Sequence, residues 1–172
     1  PFSDAEQASM RKYYLENVGV QGTGAVVAAP DKNTPGGSYY YHWERDGALT
    51  MAGLQVIGEA SAAQLKAYAD WVKARQALSD PHGIDVRTEP KYEIPSGAVF
   101  AGAWCRPQND GPGLRATALL MFAQSLLASG DADDASYLRS QLWASDNNGT
   151  IQRSLAYLTN ASNLERETCD LA

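Results

Sequence analysis

The chain has 172 residues, of which 44% are hydrophobic and 20% are charged, and these values are typical of one globular domain with a buried core. The formal net charge of -6 argues against a nucleic acid as partner, because phosphate binding needs clustered Lys and Arg rather than an excess of Asp and Glu. No apolar run is long enough to span a membrane, so the sequence predicts neither a nucleic acid nor a membrane as partner.

Hydrophobic periodicity and capping signals predict six helices. Ser3 and Glu6 form a capping box for the first helix. Asp46 is predicted to be the N-cap of the second helix, and Ser61 with Gln64 forms a capping box for the third. The second helix is expected to follow Asp46 and to end near Gly58, and the other five are expected at about residues 4–18, 62–78, 112–128, 133–143 and 150–160.

The connection between the third and fourth helices, residues 79–111, is called the long connection below. It has no helical period, and a long irregular connection inside a compact domain is usually functional. At its end, Pro112 is predicted at the first position of the fourth helix. Because its apolar stripe reaches almost all round, the fourth helix is predicted to be buried. No sheet is predicted.

The first aromatic segment, residues 38–47, contains three tyrosines, a tryptophan and the pair Arg45-Asp46 at the start of a predicted helix. A guanidinium and a carboxylate can bind neighbouring hydroxyl groups, and aromatic faces can cover the apolar face of a sugar ring. A second aromatic segment, residues 103–112, also precedes a helix. In an all-α array or toroid of paired antiparallel helices, loops at one end converge, so the two segments are expected to build one pocket.

Both aromatic segments resemble signature segments of glucoamylases. The first reads Tyr-Tyr-His-Trp-Glu-Arg-Asp-Gly-Ala-Leu, and the second reads Trp-Cys-Arg-Pro-Gln-Asn-Asp-Gly-Pro-Gly-Leu-Arg-Ala-Thr. The resemblance covers nearly all of residues 1–172 but not a whole glucoamylase. It implies an all-α fold, about half of an (α/α)6 barrel, as the N-terminal portion of a catalytic domain. The implied activity is the release of glucose from non-reducing ends of starch and maltooligosaccharides with inversion.

The resemblance also implies roles for individual residues. Arg45 and Asp46 would hold hydroxyl groups of the terminal glucose. Tyr39 and Trp43 would form the wall of the first subsite, and Trp104 would stack near the scissile bond.

Two further residues complete this implied set: Arg106 would help to hold the next sugar, and Asp110 would be a nearby polar support. An inverting hydrolase needs a general acid and a general base. In the family the acid follows an Asp-Leu-Trp step, whereas here Asp170 and Leu171 are followed by Ala172. The resemblance therefore implies that the catalytic pair belongs to a C-terminal half of the barrel, present as a continuation or a second chain.

The two cysteines and two sequons bear on the cellular compartment. Cys105 and Cys169 lack the spacing of a zinc or redox motif, and a bridge between them near the pocket is one possibility. The sequons at Asn148 and Asn160 are glycan acceptors in a secreted protein. The first residues lack a signal-peptide pattern, which fits a processed chain. These features predict an extracellular glycoprotein.

Alternative interpretations remain. One is a non-catalytic relative that binds glucans without cleaving them, and another is a helical interaction domain whose aromatic residues are core. Glu89 is interpreted as surface charge, with no assigned role in catalysis. No cofactor and no metal are predicted, since Gly22-x-Gly24 lacks the remainder of a phosphate loop and the Asp131-Asp133-Asp134 group is too irregular for a calcium loop.

Overall fold

The computed structural model describes residues 2–33 and 38–164. Within these ranges the α-helices are α1 (Asp4–Leu15), α2 (Glu44–Val56), α3 (Ala62–Arg75), α4 (Asp110–Ser129), α5 (Ala132–Tyr137), α6 (Thr150–Leu158) and α7 (Ala161–Leu164). Two 3-10 turns, Val20–Gly22 and Val86–Thr88, and a π-helical turn, Leu138–Leu142, accompany them. Two short strands, β1 (His42–Trp43) and β2 (Lys91–Tyr92), complete the secondary structure of this part of the chain.

The predicted capping boxes of α1 and α3 are confirmed. Ser3 accepts a hydrogen bond from the backbone of Glu6, whose carboxylate accepts one from the Ser3 backbone. Ser61 and Gln64 make the equivalent pair at α3. The local sequence was sufficient at these positions because a capping box involves residues only three apart.

The starts of α2 and α4 differ from the prediction. Trp43 is the N-cap of α2, so Asp46 is the third helical residue and not the cap. Asn109 is the N-cap of α4, and Pro112 is its third residue rather than its first. Both positions are tolerated because the first turn of a helix has backbone N–H groups without helical partners, and a carboxylate there interacts favourably with the helix dipole.

A small sheet sets the start of α2. β1 and β2 pair antiparallel, with His42 opposite Tyr92 and Trp43 opposite Lys91. The backbone N–H of Glu44 then donates to the carbonyl of Pro90 at 3.0 Å. The prediction of no sheet was wrong here, since two-residue strands are too short to show an alternating pattern.

The strongest helix packing joins alternate helices of the chain. The most extensive contacts are between α2 and α4 and between α4 and α6, while α3 contacts α6 and the π-helical turn. The prediction of an all-α array of paired helices is confirmed. The central buried side chains come from α2, α3, α4 and α6 and include Met51, Leu54, Tyr68, Val72, Leu119, Phe122 and Ile151.

Helix α4 is not buried all round. Its residues Leu119, Phe122 and Leu126 are in the core, whereas Leu120 is 41% exposed and Leu127 is 67% exposed. The expectation of complete burial was therefore wrong for one face. Helix α1 has no buried residue.

Among the helices of residues 2–33 and 38–164, none has the length and apolar character needed to cross a bilayer.

Candidate functional site

The two aromatic segments meet at one cavity of about 500 Å³. Five of the residues predicted to bind a sugar line it, namely Tyr39, Trp43, Arg45, Asp46 and Trp104. Ala28, Cys105 and Gln108 also line it. Cavities of this size accommodate small-molecule ligands.

The turn from β1 into α2 presents Trp43, Arg45 and Asp46 to this cavity within four residues. Gly47 makes the turn possible. A Cβ atom at Gly47 would lie 2.6 Å from Cε1 of the buried His42, closer than real Cβ contacts. Glycine at this position therefore lets the first turn of α2 pack directly on the imidazole ring.

Three aromatic rings form an angled wall. The rings of Tyr39 and Trp43 are nearly parallel, with centroids 6.1 Å apart and 23° between their planes. Trp43 and Trp104 meet edge to face, with centroids 5.0 Å apart and planes at 77°. Trp43 is 7% exposed, whereas Tyr39 and Trp104 are 41% and 43% exposed. Tyr39 and Trp104 therefore keep accessible ring surface against which an apolar face of a ligand can pack.

Arg45 is oriented by residues at the start of α4. Its Nη1 lies 2.5 Å from Oδ2 of Asp110, and its Nη2 donates to Oε1 of Gln108 at 3.1 Å. Asp110 thus supports Arg45 without lining the cavity. Gln108 was missed by the sequence reasoning, although its position in the Arg-Pro-Gln run beside the predicted residues was the available signal.

Asp46 supplies the carboxylate of the cavity wall. Partial removal from water raises the pKa of Asp46, while its own backbone N–H and the Arg45 charge act in the opposite direction. A carboxylate next to a guanidinium offers acceptors and donors for adjacent hydroxyl groups.

Arg106 differs from the other predicted residues because its guanidinium is held inside the long connection. Its Nε donates to Oε2 of Glu89 at 2.6 Å, and its Nη2 donates to the carbonyl of Phe100 at 2.7 Å. Its Nη1 donates to the carbonyls of Gly102 and Trp104, each at 3.2 Å. Arg106 is not among the described residues that line the cavity, so its direct sugar contact stays a prediction.

Glu89 is not a surface charge, contrary to the prediction. It is 1% exposed, and burial raises its pKa although Arg106 acts in the opposite direction. One of its oxygens also accepts a hydrogen bond from the backbone N–H of Lys91 at 3.1 Å. Glu89 and Arg106 therefore join two parts of the long connection, and Arg106 also binds the backbone carbonyl of Trp104.

A buried ion pair lies directly beneath the Arg45-Asp46 turn. Nη1 of Arg115 contacts Oε2 of Glu44, and the side chains are 1% and 2% exposed. His42 lies on the other carboxylate oxygen, with Nε2 3.3 Å from Oε1. Although burial opposes ionisation, Arg115 and His42 lower the pKa of Glu44 to about 2.

Arg115 extends this network to other elements. Its Nε donates to Oγ of Ser154 in α6 at 3.1 Å, and its Nη2 donates to the carbonyl of Arg87 at 3.2 Å. The network therefore ties the start of α2 to α4, α6 and the long connection. Sequence reasoning missed it because no spacing rule links Glu44 to Arg115.

The remaining predicted residues are two cysteines and two sequon asparagines. Cys105 lines the cavity and is disulfide-bonded. Its predicted partner Cys169, and the Asp170, Leu171 and Ala172 that follow, lie outside the described residues, so this pairing stays a prediction. Asn148 and Asn160 are exposed.

The site has features of carbohydrate recognition. It combines an angled aromatic wall, a charged donor and a charged acceptor in one cavity. In the part of the chain that the structure describes, no cluster of three or more His, Cys, Asp or Glu side chains is arranged to hold a metal ion.

Sequence comparison identifies relatives over most of the chain. Residues 8–166 match the profile of Glycosyl hydrolases family 15. A glucoamylase of Blastobotrys adeninivorans is 32% identical over 155 residues, which cover 85% of this chain and 24% of that protein. A glucoamylase of Neurospora crassa is 32% identical over 174 residues, covering 91% of this chain and 26% of that protein.

Solved structures agree with the sequence relatives. The structure of Hormoconis resinae glucoamylase matches with a TM-score of 0.76 and 28% identity, covering 96% of this chain and 30% of that one. A glucoamylase from Saccharomycopsis fibuligera matches with a TM-score of 0.76 and 26% identity, covering 97% and 38%.

The chain spans about a quarter of the length of these curated relatives. Its paired helices form part of an (α/α)6 barrel, as the glucoamylase structures do in full. The helix arrangement, the two aromatic segments and the match over residues 8–166 lead to one conclusion: the chain belongs to glycosyl hydrolases family 15.

Proposed function

We propose that residues 1–172 are the N-terminal portion of a glucoamylase-type catalytic domain and supply its sugar-binding residues. The enzyme would release glucose from non-reducing ends of starch and maltooligosaccharides with inversion. The observation that carries this proposal is the convergence of Trp43, Arg45, Asp46 and Trp104 on one cavity. Support also comes from the relatives that are named glucoamylases.

In this proposal the terminal glucose lies against the angled aromatic wall. Arg45 donates to one of its hydroxyl groups, and Asp46 accepts from a neighbouring one. Asp110 and Gln108 hold the Arg45 guanidinium in advance, which lowers the entropy lost when the sugar binds. Tyr39 and Trp43 cover the apolar face of the sugar, and Trp104 stacks near the bond to be cleaved.

The general acid and base would come from the C-terminal half of the barrel, as a continuation or a second chain. Inverting hydrolysis uses two carboxyl groups on opposite sides of the bond with a water between them. Among the described residues that line the cavity, Asp46 is the one carboxylate, and its proposed role is hydroxyl recognition.

Exposed apolar residues support the proposal that a C-terminal half of the barrel packs against this chain. Leu120 and Leu127 on α4, Val56 at the end of α2 and Met10 on α1 are between 41% and 75% exposed. Where such side chains adjoin in one patch, coverage by another protein surface is favoured. The proposed C-terminal half of the barrel would cover part of it.

The proposal also includes secretion and glycosylation. Asn148 and Asn160 are exposed and in sequons, as acceptors need to be. Material from a secretory host is expected to lose mass on treatment with an N-glycan-removing amidase. Unchanged mass would contradict this part of the proposal.

Calorimetric titration with maltose and acarbose tests the binding site. Asp46→Ala is expected to weaken binding about tenfold or more, because a hydroxyl acceptor in the cavity is lost. Asp133→Ala removes the same charge from an exposed position on α5 and is expected to bind like the wild type. Equal affinity of wild type and a folded Asp46→Ala variant would contradict the site.

Glucose release tests whether the general acid and general base lie outside residues 1–172. The pure chain, incubated with maltooligosaccharide, is expected to show no sustained turnover, since the proposal assigns acid and base elsewhere. Turnover that persists through purification and is lost on heating would show that the chain is catalytic by itself.

A further inference from the structure

Lys91 occupies an unusual position behind the aromatic wall. It lies in β2 opposite Trp43, and it is 4% exposed. Its Nζ lies 3.8 Å from the ring centroid of Phe100 and 4.1 Å from that of Tyr41. The distances to the centroids of Trp104 and Trp43 are 4.7 and 5.1 Å.

These four rings form two pairs that join distant parts of the chain. Tyr41 meets Phe100 edge to face, with centroids 5.2 Å apart, and Trp43 meets Trp104 in the same manner at 5.0 Å. Each pair has one ring from the first aromatic segment and one from the long connection. Among the cations of the described residues, the Lys91 ammonium is the one that lies over all four rings, within 6 Å of each centroid.

Aromatic rings of both pairs lie around this ammonium in the described part of the chain. No carboxylate of residues 2–33 and 38–164 lies within ion-pair distance of it. Burial lowers the pKa of Lys91, and Arg106 acts in the same direction, whereas Glu93 and Glu89 act in the opposite direction. A cation is attracted to aromatic faces, and this attraction is stronger where water is excluded. The ammonium therefore contacts both ring pairs from a position that does not line the cavity.

We propose that Lys91 is a positioning residue of the sugar site. Its ammonium binds the four rings and so maintains the angle between Trp43 and Trp104, which line the cavity. Lys91 does not line the cavity itself and acts on the ligand through these rings. This inference rests on the proposed function, since it concerns how the same cavity recognises a sugar.

Three variants test the role of the charge. Lys91→Met keeps the apolar stem and removes the ammonium, and it is expected to weaken acarbose and maltose binding about tenfold. Lys91→Arg keeps a cation that stacks on aromatic rings and is expected to bind within about threefold of the wild type. Lys66→Met is the matched control, because Lys66 loses the same charge but lies over one distant ring, Tyr137, at 5.4 Å.

A double-variant cycle separates positioning from general destabilisation. If Lys91 acts through Trp104, Lys91→Met is expected to cost little further affinity in a Trp104→Leu background. Additive losses would overturn the proposed route through the ring. Wild-type affinity in a folded Lys91→Met variant would overturn the inference as a whole.

A measurement on the wild-type chain keeps the test independent of variant folding. With selectively ¹³C-labelled lysine, the ε-CH₂ signal of Lys91, assigned by its loss in Lys91→Met, is expected furthest upfield because four rings surround it, whereas Lys32 lies over the single ring of Tyr40. Saturating maltose is expected to shift this signal as Trp43 and Trp104 contact the sugar. An unchanged signal at saturation would contradict the inference, whereas a wild type that binds neither maltose nor acarbose would contradict the proposed function itself.

Discussion

Two arginine–carboxylate pairs at the start of α2 differ in their access to water. The side chains of Arg45 and Asp110 at the cavity are 35% and 21% exposed. Glu44, the residue before Arg45 in α2, pairs with Arg115 of α4, and these two side chains are 1% and 2% exposed. The same chemistry is thus found on both sides of one helical turn.

The difference in burial separates binding from support. A partly exposed guanidinium can exchange water for sugar hydroxyl groups at small cost, and its ion pair contributes little to stability. A buried pair gains little over an apolar replacement, but the loss of one partner leaves an uncompensated charge inside the protein. The buried pair Glu44–Arg115, called the inner pair, is therefore expected to govern the free energy of unfolding. The partly exposed pair Arg45–Asp110, called the outer pair, is expected to govern the affinity for sugar.

The largest expected effect is that of Glu44→Ala. It leaves the Arg115 charge buried and unpaired, and it should lower the free energy of unfolding by about 3–5 kcal/mol. Urea denaturation measures this loss. Asp110→Ala removes the matching carboxylate of the outer pair and is the control, with an expected loss below about 1 kcal/mol. Equal losses for the two variants would contradict the distinction between the pairs.

The second-largest expected effect is the weakening of the inner pair at acid pH. The pKa of Glu44 is lowered from 4.5 to about 2, so its stabilising contribution is present above pH 4.5 and is lost as the pH falls towards 2. This contribution is at most about 3 kcal/mol. The free energy of unfolding should be measured for the wild type and Glu44→Gln across this range. The difference between them is expected to shrink with falling pH, and a constant difference would contradict the assignment.

The smallest expected effect is that of Asp110→Asn on sugar affinity. It keeps the shape of the side chain but removes the charge that orients Arg45, so acarbose affinity should fall about threefold to tenfold with little change in stability. Calorimetry with acarbose measures the change. Asp85→Asn at the 3-10 turn, where Asp85 pairs with Arg87, is a comparison outside the cavity and should leave affinity unchanged. A larger loss from Asp85→Asn than from Asp110→Asn would contradict the support role.

The sequence was most informative where the relevant contacts are local. The capping boxes at Ser3 and Ser61 were predictable because their partners are three residues away. Five of the seven predicted binding residues line the cavity because their chemical character and their resemblance to known segments could be read along the chain. Helix starts were less certain, as Asp46 illustrates, because pairing of β1 with the distant β2 decides where α2 begins.

By itself, then, the sequence determined the helical character of the chain, the approximate helix positions and the residue types available for sugar recognition. The tertiary structure alone decided which charged groups remain accessible. Glu89, Arg106, Lys91 and the Glu44–Arg115 pair became buried, while Arg45 and Asp46 stayed at the cavity. The physical reason is that burial and pairing depend on residues far apart in the chain. The sequence around a charged residue therefore does not show whether its side chain will be buried or will stay at the cavity.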